Sequence, residues 1–139
     1  KLYAMAGARL GYGISSNPAI IEKLERSVQP WNVSLLAQAA GLAALAEDAY
    51  VRESLTTLRA ERAYLLQALE KLGCRTYASQ ANYIFFRGET TLGEKLRAAG
   101  FLVRDCSNYA GLGKGYYRVA VRLQEDNVKL VQALAHILD

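Results

Sequence analysis

A lysine and an arginine stand eight residues apart at the start of this chain, Lys1 and Arg9, joined by the small and apolar run Leu2-Tyr3-Ala4-Met5-Ala6-Gly7-Ala8. A lysine amine made neutral by burial or by a nearby cation is a nucleophile that condenses with aldehydes. A guanidinium grips a phosphate through two parallel N–H bonds, which a point-charge ammonium does less well. One short loop therefore offers an amine and an anion clamp. A second group lies near the other end, in Tyr116-Tyr117-Arg118-Val119-Ala120-Val121-Arg122. Alternation puts Tyr117, Val119 and Val121 on one face of a strand and Arg118, Ala120 and Arg122 on the other. Two guanidiniums are thus predicted to point the same way, an arrangement suited to a dianion or to a carboxylate plus a phosphate. From the residues alone, each group has a plain alternative as solvated surface charge.

Composition narrows the class. The chain has 139 residues, 52% of them hydrophobic, enough for a real core and too apolar for disorder. A net charge of +4 fits an anionic substrate but is also ordinary for a globular domain. Two isolated cysteines, Cys74 and Cys106, and one histidine, His136, argue against a disulfide framework or a metal site. The most apolar stretch, 33–46, is too short to span a bilayer. A reducing cytoplasm is the expected location.

The elements that must position the reactive groups follow in order. Leu10, Gly11, Tyr12, Gly13 and Ile14 suit a buried strand. Asn17-Pro18 is a helix start, with Asn17 the cap, and Ile20, Ile21, Leu24 and Val28 form its apolar stripe. Trp31-Asn32-Val33-Ser34 leads into a second helix from Leu35, so rich in alanine and glycine that another element must pack closely on it. A long amphipathic helix is predicted over 48–72, with Arg52, Arg59 and Arg62 on its solvated face and Gly73 as its stop. The period then changes to alternation, with strands at 74–77, 83–87, 101–104 and 116–122. Between them, Thr91-Leu92-Gly93-Glu94 reads as a capping box opening a short helix, and Gln124-Glu125-Asp126 opens the last helix. Gly111-Leu112-Gly113-Lys114-Gly115 leads into a strand rather than a helix, so it reads as a flexible substrate-side loop and not a phosphate loop. The order predicts an α/β protein with a small two-layer sheet-and-helix region, preceded by helices and by one strand without a partner.

Ala6-Gly7-Ala8-Arg9-Leu10-Gly11-Tyr12 resembles the lysine motif of class I/II aminotransferases, in which a lysine is followed by a hydrophobic stretch and Ala-Gly-x-Arg-x-Gly-Tyr. The likeness recurs along the chain. Pro30-Trp31-Asn32-Val33 is similar to the Pro-Tyr-Asn-Val segment of the histidinol-phosphate aminotransferase branch, and Ala81-Asn82-Tyr83 to its Ala-Asn-Phe. Arg118 stands where the family has its substrate-carboxylate arginine, on the strand before the last helix. The resemblance implies a fold-type I enzyme with pyridoxal 5′-phosphate bound through Lys1 and Arg9. It implies a substrate held by Arg118, Arg122, Asn32 and Asn82, and a homodimer. It divides the chain into a remnant of the large cofactor-binding domain (1–33), interdomain helices (34–72) and a small C-terminal domain (73–139). On this reading the chain is the C-terminal part of a longer polypeptide and inactive in isolation, with the carboxylate for the cofactor ring nitrogen upstream of Lys1.

Within that branch, Arg104-Asp105-Cys106-Ser107-Asn108-Tyr109 and the strand at 116–122 are also similar to threonine-phosphate decarboxylases. Both substrates carry a phosphate, and these residues leave amino transfer and decarboxylation open. A non-catalytic anion- or RNA-binding module is the alternative of another class, suggested by Lys114-Gly115-Tyr116-Tyr117 and weakened by Arg118 and Val121 where stacking aromatics would be needed. Neither a nucleic-acid nor a membrane partner is expected.

Overall fold

The computed structural model describes residues 2–138, and the chain divides into two compact units, Lys1–Ser54 and Leu55–Asp139. In the first unit a 3-10 turn over Ala6–Ala8 precedes two helices, α1 (Pro18–Ser27) and α2 (Leu35–Leu45). Each helix begins at a side-chain cap. Asn17 accepts from the Ala19 N–H and Ser34 from the Ala37 N–H, satisfying donors that helix geometry leaves over. A methyl at Gly41 would come 2.5 Å from Leu10 Cδ2, so the close neighbour expected for α2 is Leu10. The strand predicted at 10–14 is not formed among the described residues. An extended segment becomes a strand only when a partner takes its N–H and C=O groups, and no partner ladder is present here. The predicted stripe of α1 also stays open, with Ile20, Leu24 and Val28 exposed.

Helix α3 (Asp48–Lys71) brings Leu65 and Leu69 into the second unit, where both are fully buried. There follow β1 (Arg75–Thr76), β2 (Tyr83–Arg87), α4 (Leu92–Ala98), β3 (Arg104–Asp105), β4 (Tyr116–Ala120) and α5 (Gln124–Leu138). The strands form one antiparallel sheet in the order β1-β2-β4-β3. Ile84, Phe86, Tyr117 and Val119 alternate onto one face and pack with Leu65, Leu69, Leu92, Leu96, Leu130 and Leu134 of the helices. This is the predicted two-layer α/β arrangement, and its core is apolar side chains from every long element.

Three strands are shorter than predicted, since Cys74, Tyr77, 101–103 and 121–122 lie outside the ladder. Thr91 makes no side-chain cap bond, because its φ/ψ of −98°/−2° is helical rather than the extended conformation that aims a cap hydroxyl at the first turn. The glycine-rich loop ends under constraint. Gly115 has φ +91°, a methyl there would lie 2.9 Å from the Gly88 carbonyl oxygen, and its own carbonyl accepts from Gly88 N–H at 2.9 Å.

Candidate functional site

The reactive groups fall in both units and each set is built locally. Lys1 lies outside the described residues. In the loop that follows it, Arg9 closes the 3-10 turn with φ +54°, a left-handed conformation uncommon for a residue with a side chain. Its backbone N–H donates to Ala6 O at 3.4 Å and its Nη1 to the same oxygen at 3.3 Å. The guanidinium is therefore folded onto its own turn, is exposed, and meets no carboxylate within ion-pair distance among the described residues. A methyl on Gly7 would meet nothing within 4 Å, so the turn leaves room around its small residues. Such a donor set, an unneutralised fork over an open turn, is chemically suited to a phosphate. Asn32 follows Trp31, whose φ is +64°, and is exposed just before the Ser34 cap.

In the second unit the helix-free face of the sheet carries a cleft of about 340 Å³, lined by residues that include Tyr77, Ala81, Tyr83, Phe85, Tyr109 and Arg118. Arg118 is half-buried, with its guanidinium carbon 4.3 Å from the Tyr83 ring centroid. A cation held over the negative face of a ring keeps its N–H edge for other partners. Tyr77, Phe85 and Tyr116 form an aromatic row beside it, Phe85 and Tyr116 stacked at 5.7 Å. Register then brings in a residue that reading the sequence missed. Arg104 of β3 is the direct cross-strand partner of Arg118, so both guanidiniums rise from the same face. Arg104 sits 5.6 Å over the Tyr109 ring and donates to Asn108 Oδ1 at 3.4 Å. Like charges directly opposite each other on a sheet are unfavourable. Here no carboxylate within ion-pair distance offsets them among the described residues.

The charge around this pair is visible in its neighbours. Burial raises the Cys106 thiol above its ordinary value, and the Arg118 and Arg104 guanidiniums pull against that rise. The Asp105 carboxyl is held below its ordinary value chiefly by hydrogen bonding to Ser107, whose N–H donates at 2.8 Å, with Arg104 and Lys114 adding to the effect. That carboxylate is committed to its own loop.

Asn82 is exposed, and its carbonyl accepts from Val121 N–H at 2.9 Å, tying β4's exit to the loop before β2. Arg122 lies beyond the end of β4, and its Nε donates to Asp126 Oδ2 at 2.7 Å in the first turn of α5. The sheet alternation that would have aligned it with Arg118 stops two residues earlier. Within this unit, then, Arg104, Arg118 and Tyr83 come together, while Arg122 is engaged at the helix. The signal for Arg104 was its place at the end of a predicted strand, but only the pairing of β3 with β4 puts it opposite Arg118.

No group of three or more metal-ligating side chains is present among the described residues, and no helix is long and apolar enough to cross a membrane. The profile of the family described as aminotransferase class I and II matches residues 1–134. Among curated proteins, the chain is 39% identical to threonine-phosphate decarboxylase of Salmonella typhimurium over 99% of its own length and 39% of that protein's. It is 32% identical to histidinol-phosphate aminotransferase of Methanosphaera stadtmanae over 100% of itself and 40% of the relative. The crystal structure of histidinol-phosphate aminotransferase from Clostridium acetobutylicum superposes with a TM-score of 0.92 at 31% identity, covering 99% of this chain and 43% of that one. The chain thus spans about two fifths of the length of the curated relatives it matches. With the profile match running through both units, the chain belongs to the class I and II aminotransferase family.

Proposed function

We propose that this chain supplies the cofactor lysine and the anion-binding arginines of a pyridoxal-phosphate-dependent aminotransferase that takes a phosphorylated amino compound and passes its amino group to a 2-oxo acid. The observation that carries this reading is the Arg118 guanidinium, held over Tyr83 in an open cleft with Arg104 directly opposite and no carboxylate within ion-pair distance of either among the described residues. Two forks on one face match a phosphate with a second anionic or polar group. Pyridoxal phosphate, when bound, supplies an aldehyde and an electron-withdrawing ring. Lys1 would hold the aldehyde end and, as a neutral amine, move the proton at the substrate Cα. Arg9 would hold the phosphate end, and Asn32 and Asn82 are assigned to orienting the substrate. Arg122 is retained as a second anion ligand on the condition that it leaves Asp126.

Decarboxylation of threonine phosphate is the second reading, supported by the relative in Salmonella typhimurium that bears that name. The same arginines would then hold a carboxylate and a phosphate together. A homodimer goes with either reading, supported by the exposed Leu35, Leu36, Leu42 and Trp31 of the first unit, which need cover. The two buried, unpaired thiols Cys74 and Cys106 fit a reducing cytoplasm.

The test is a donor screen on the complete cofactor-loaded enzyme that contains this chain. Amino transfer from histidinol phosphate to 2-oxoglutarate is expected, with Arg118→Gln raising KM about tenfold or more. Carbon dioxide release from threonine phosphate without transfer would select the second reading. Equal use of donors with and without a phosphate would contradict both.

A further inference from the structure

The side-chain amide of Asn127 is buried, at 1% exposure. A buried amide must have its hydrogen bonds satisfied, and those of Asn127 are all directed to places that matter for the cleft. Its Oδ1 accepts from the Arg122 N–H at 3.1 Å, and its Nδ2 donates to the Arg122 carbonyl at 2.7 Å. The side chain thereby imitates the paired exchange of an antiparallel ladder just past the end of β4, four residues beyond Arg118. Its remaining N–H donates to Glu61 Oε2 on α3 at 2.7 Å, a charge-assisted bond.

The next residue of α3 reaches the opposite wall. Arg62 Nη1 donates to the Ala81 carbonyl at 3.0 Å. This corrects the expectation that Arg62 belongs to a solvated face, since the side chain is half-buried and bonded. Ala81 and Tyr83 both line the cleft, and Tyr83 carries the Arg118 guanidinium. Two consecutive residues of one helix therefore fasten the strand end that follows the arginine and the loop that precedes its tyrosine. The helix itself is anchored one turn on by Leu65 and again by Leu69, both fully buried.

We propose that Glu61, Arg62 and Asn127 are positioning residues that set the placement of Arg118 over Tyr83 and so the affinity of the cleft for its anion. The proposal rests on the reading of Arg118 as an anion ligand. Neither of the two α3 side chains lines the cleft; each acts through a backbone carbonyl or through Asn127.

The test uses O-phospho-L-threonine as the probe and the complete enzyme that contains this chain, followed by NMR of the Arg118 Nε–H and the Tyr83 ring. In the wild type the Arg118 Nε–H is expected to show the ring-current shift of a stacked cation. Glu61→Ala and Arg62→Ala are expected to lose that shift and weaken the probe about 5- to 20-fold, with Glu61→Gln, which keeps an acceptor for Asn127, within about twofold of wild type. If an alanine variant fails to fold, Arg62→Lys keeps the charge and stem and is expected to show an intermediate loss. Folded variants that bind the probe as wild type does, with the ring-current shift intact, overturn the proposal even if they melt earlier. Arg118→Gln separates the two claims. Should it bind as well as wild type, the anion reading itself fails; should it alone lose binding, only the positioning claim fails.

Discussion

The two units of this chain use the same local devices and reach different ends. Residues 2–54 hold two capped helices, yet their one buried residue among those described is Ala37, while Leu36 is 82% and Trp31 97% exposed. Past Leu55, helices and a sheet close a core in which Leu65, Leu92, Leu96 and Ile84 have no solvent exposure. Caps and propensity start a helix, worth about 1 kcal/mol per cap, but only a facing layer buries it. The sheet supplies that layer in the second unit. The same contrast sorts the candidate site, because a guanidinium on a paired strand has a defined neighbour, whereas Arg9 is held only by its own turn.

The largest expected effect compares two leucines. Leu65→Ala should cost about 2–5 kcal/mol of unfolding free energy in urea, while Leu36→Ala should stay within about 0.5 kcal/mol. Equal costs would mean that the first unit has a core of its own. Next in size is the pair of arginines on and just after β4. Arg118→Gln should weaken O-phospho-L-threonine binding about ten- to a hundredfold, and Arg122→Gln by about twofold or less unless the probe draws Arg122 off Asp126. Isothermal titration of the two variants decides this, and the reverse order would move the anion site to the start of α5.

Glycines give a third contrast. Gly115→Ala should destabilise by about 1–3 kcal/mol, since a methyl there meets the Gly88 carbonyl at a left-handed φ, while Gly7→Ala meets nothing and should be near neutral in thermal melts. The smallest effect is a titration. The Asp105 carboxyl is held down by Ser107, so its native value lies below its unfolded one. Its contribution is therefore present above the ordinary value near 3.8 and is lost as pH falls through the lower native value. The Ser107 amide resonance should move over that acid range and not between pH 5 and 8, and Asp105→Asn should abolish the movement.

Much of this was legible in the residues. Asn17 with Pro18, the helix over 48–72 and the inward set of β2 and β4 each follow from local periodicity or a cap, and the helix observed, Asp48–Lys71, ends where Gly73 predicts. What escaped depends on distant pairing. Arg104 acquires its place opposite Arg118 through the β3–β4 register, which no local pattern encodes. Arg122 was misaligned because alternation in sequence runs past the point where the ladder stops. Arg62 lies off the apolar stripe of α3, and its bond to Ala81 spans 19 positions in the chain, beyond helical reasoning. Residues 10–14 have a strand's composition without a strand's partner.

The proposed role of Lys1 as the amine that holds the cofactor is open to a direct test by borohydride. Reduction of the complete cofactor-loaded enzyme fixes the cofactor to whichever amine carries it, and peptide mass then locates the adduct. A single adduct on Lys1 is expected, in the peptide that runs through Arg9, with loss of the visible chromophore. A folded, cofactor-loaded enzyme with its adduct on another lysine, or with none, would contradict it.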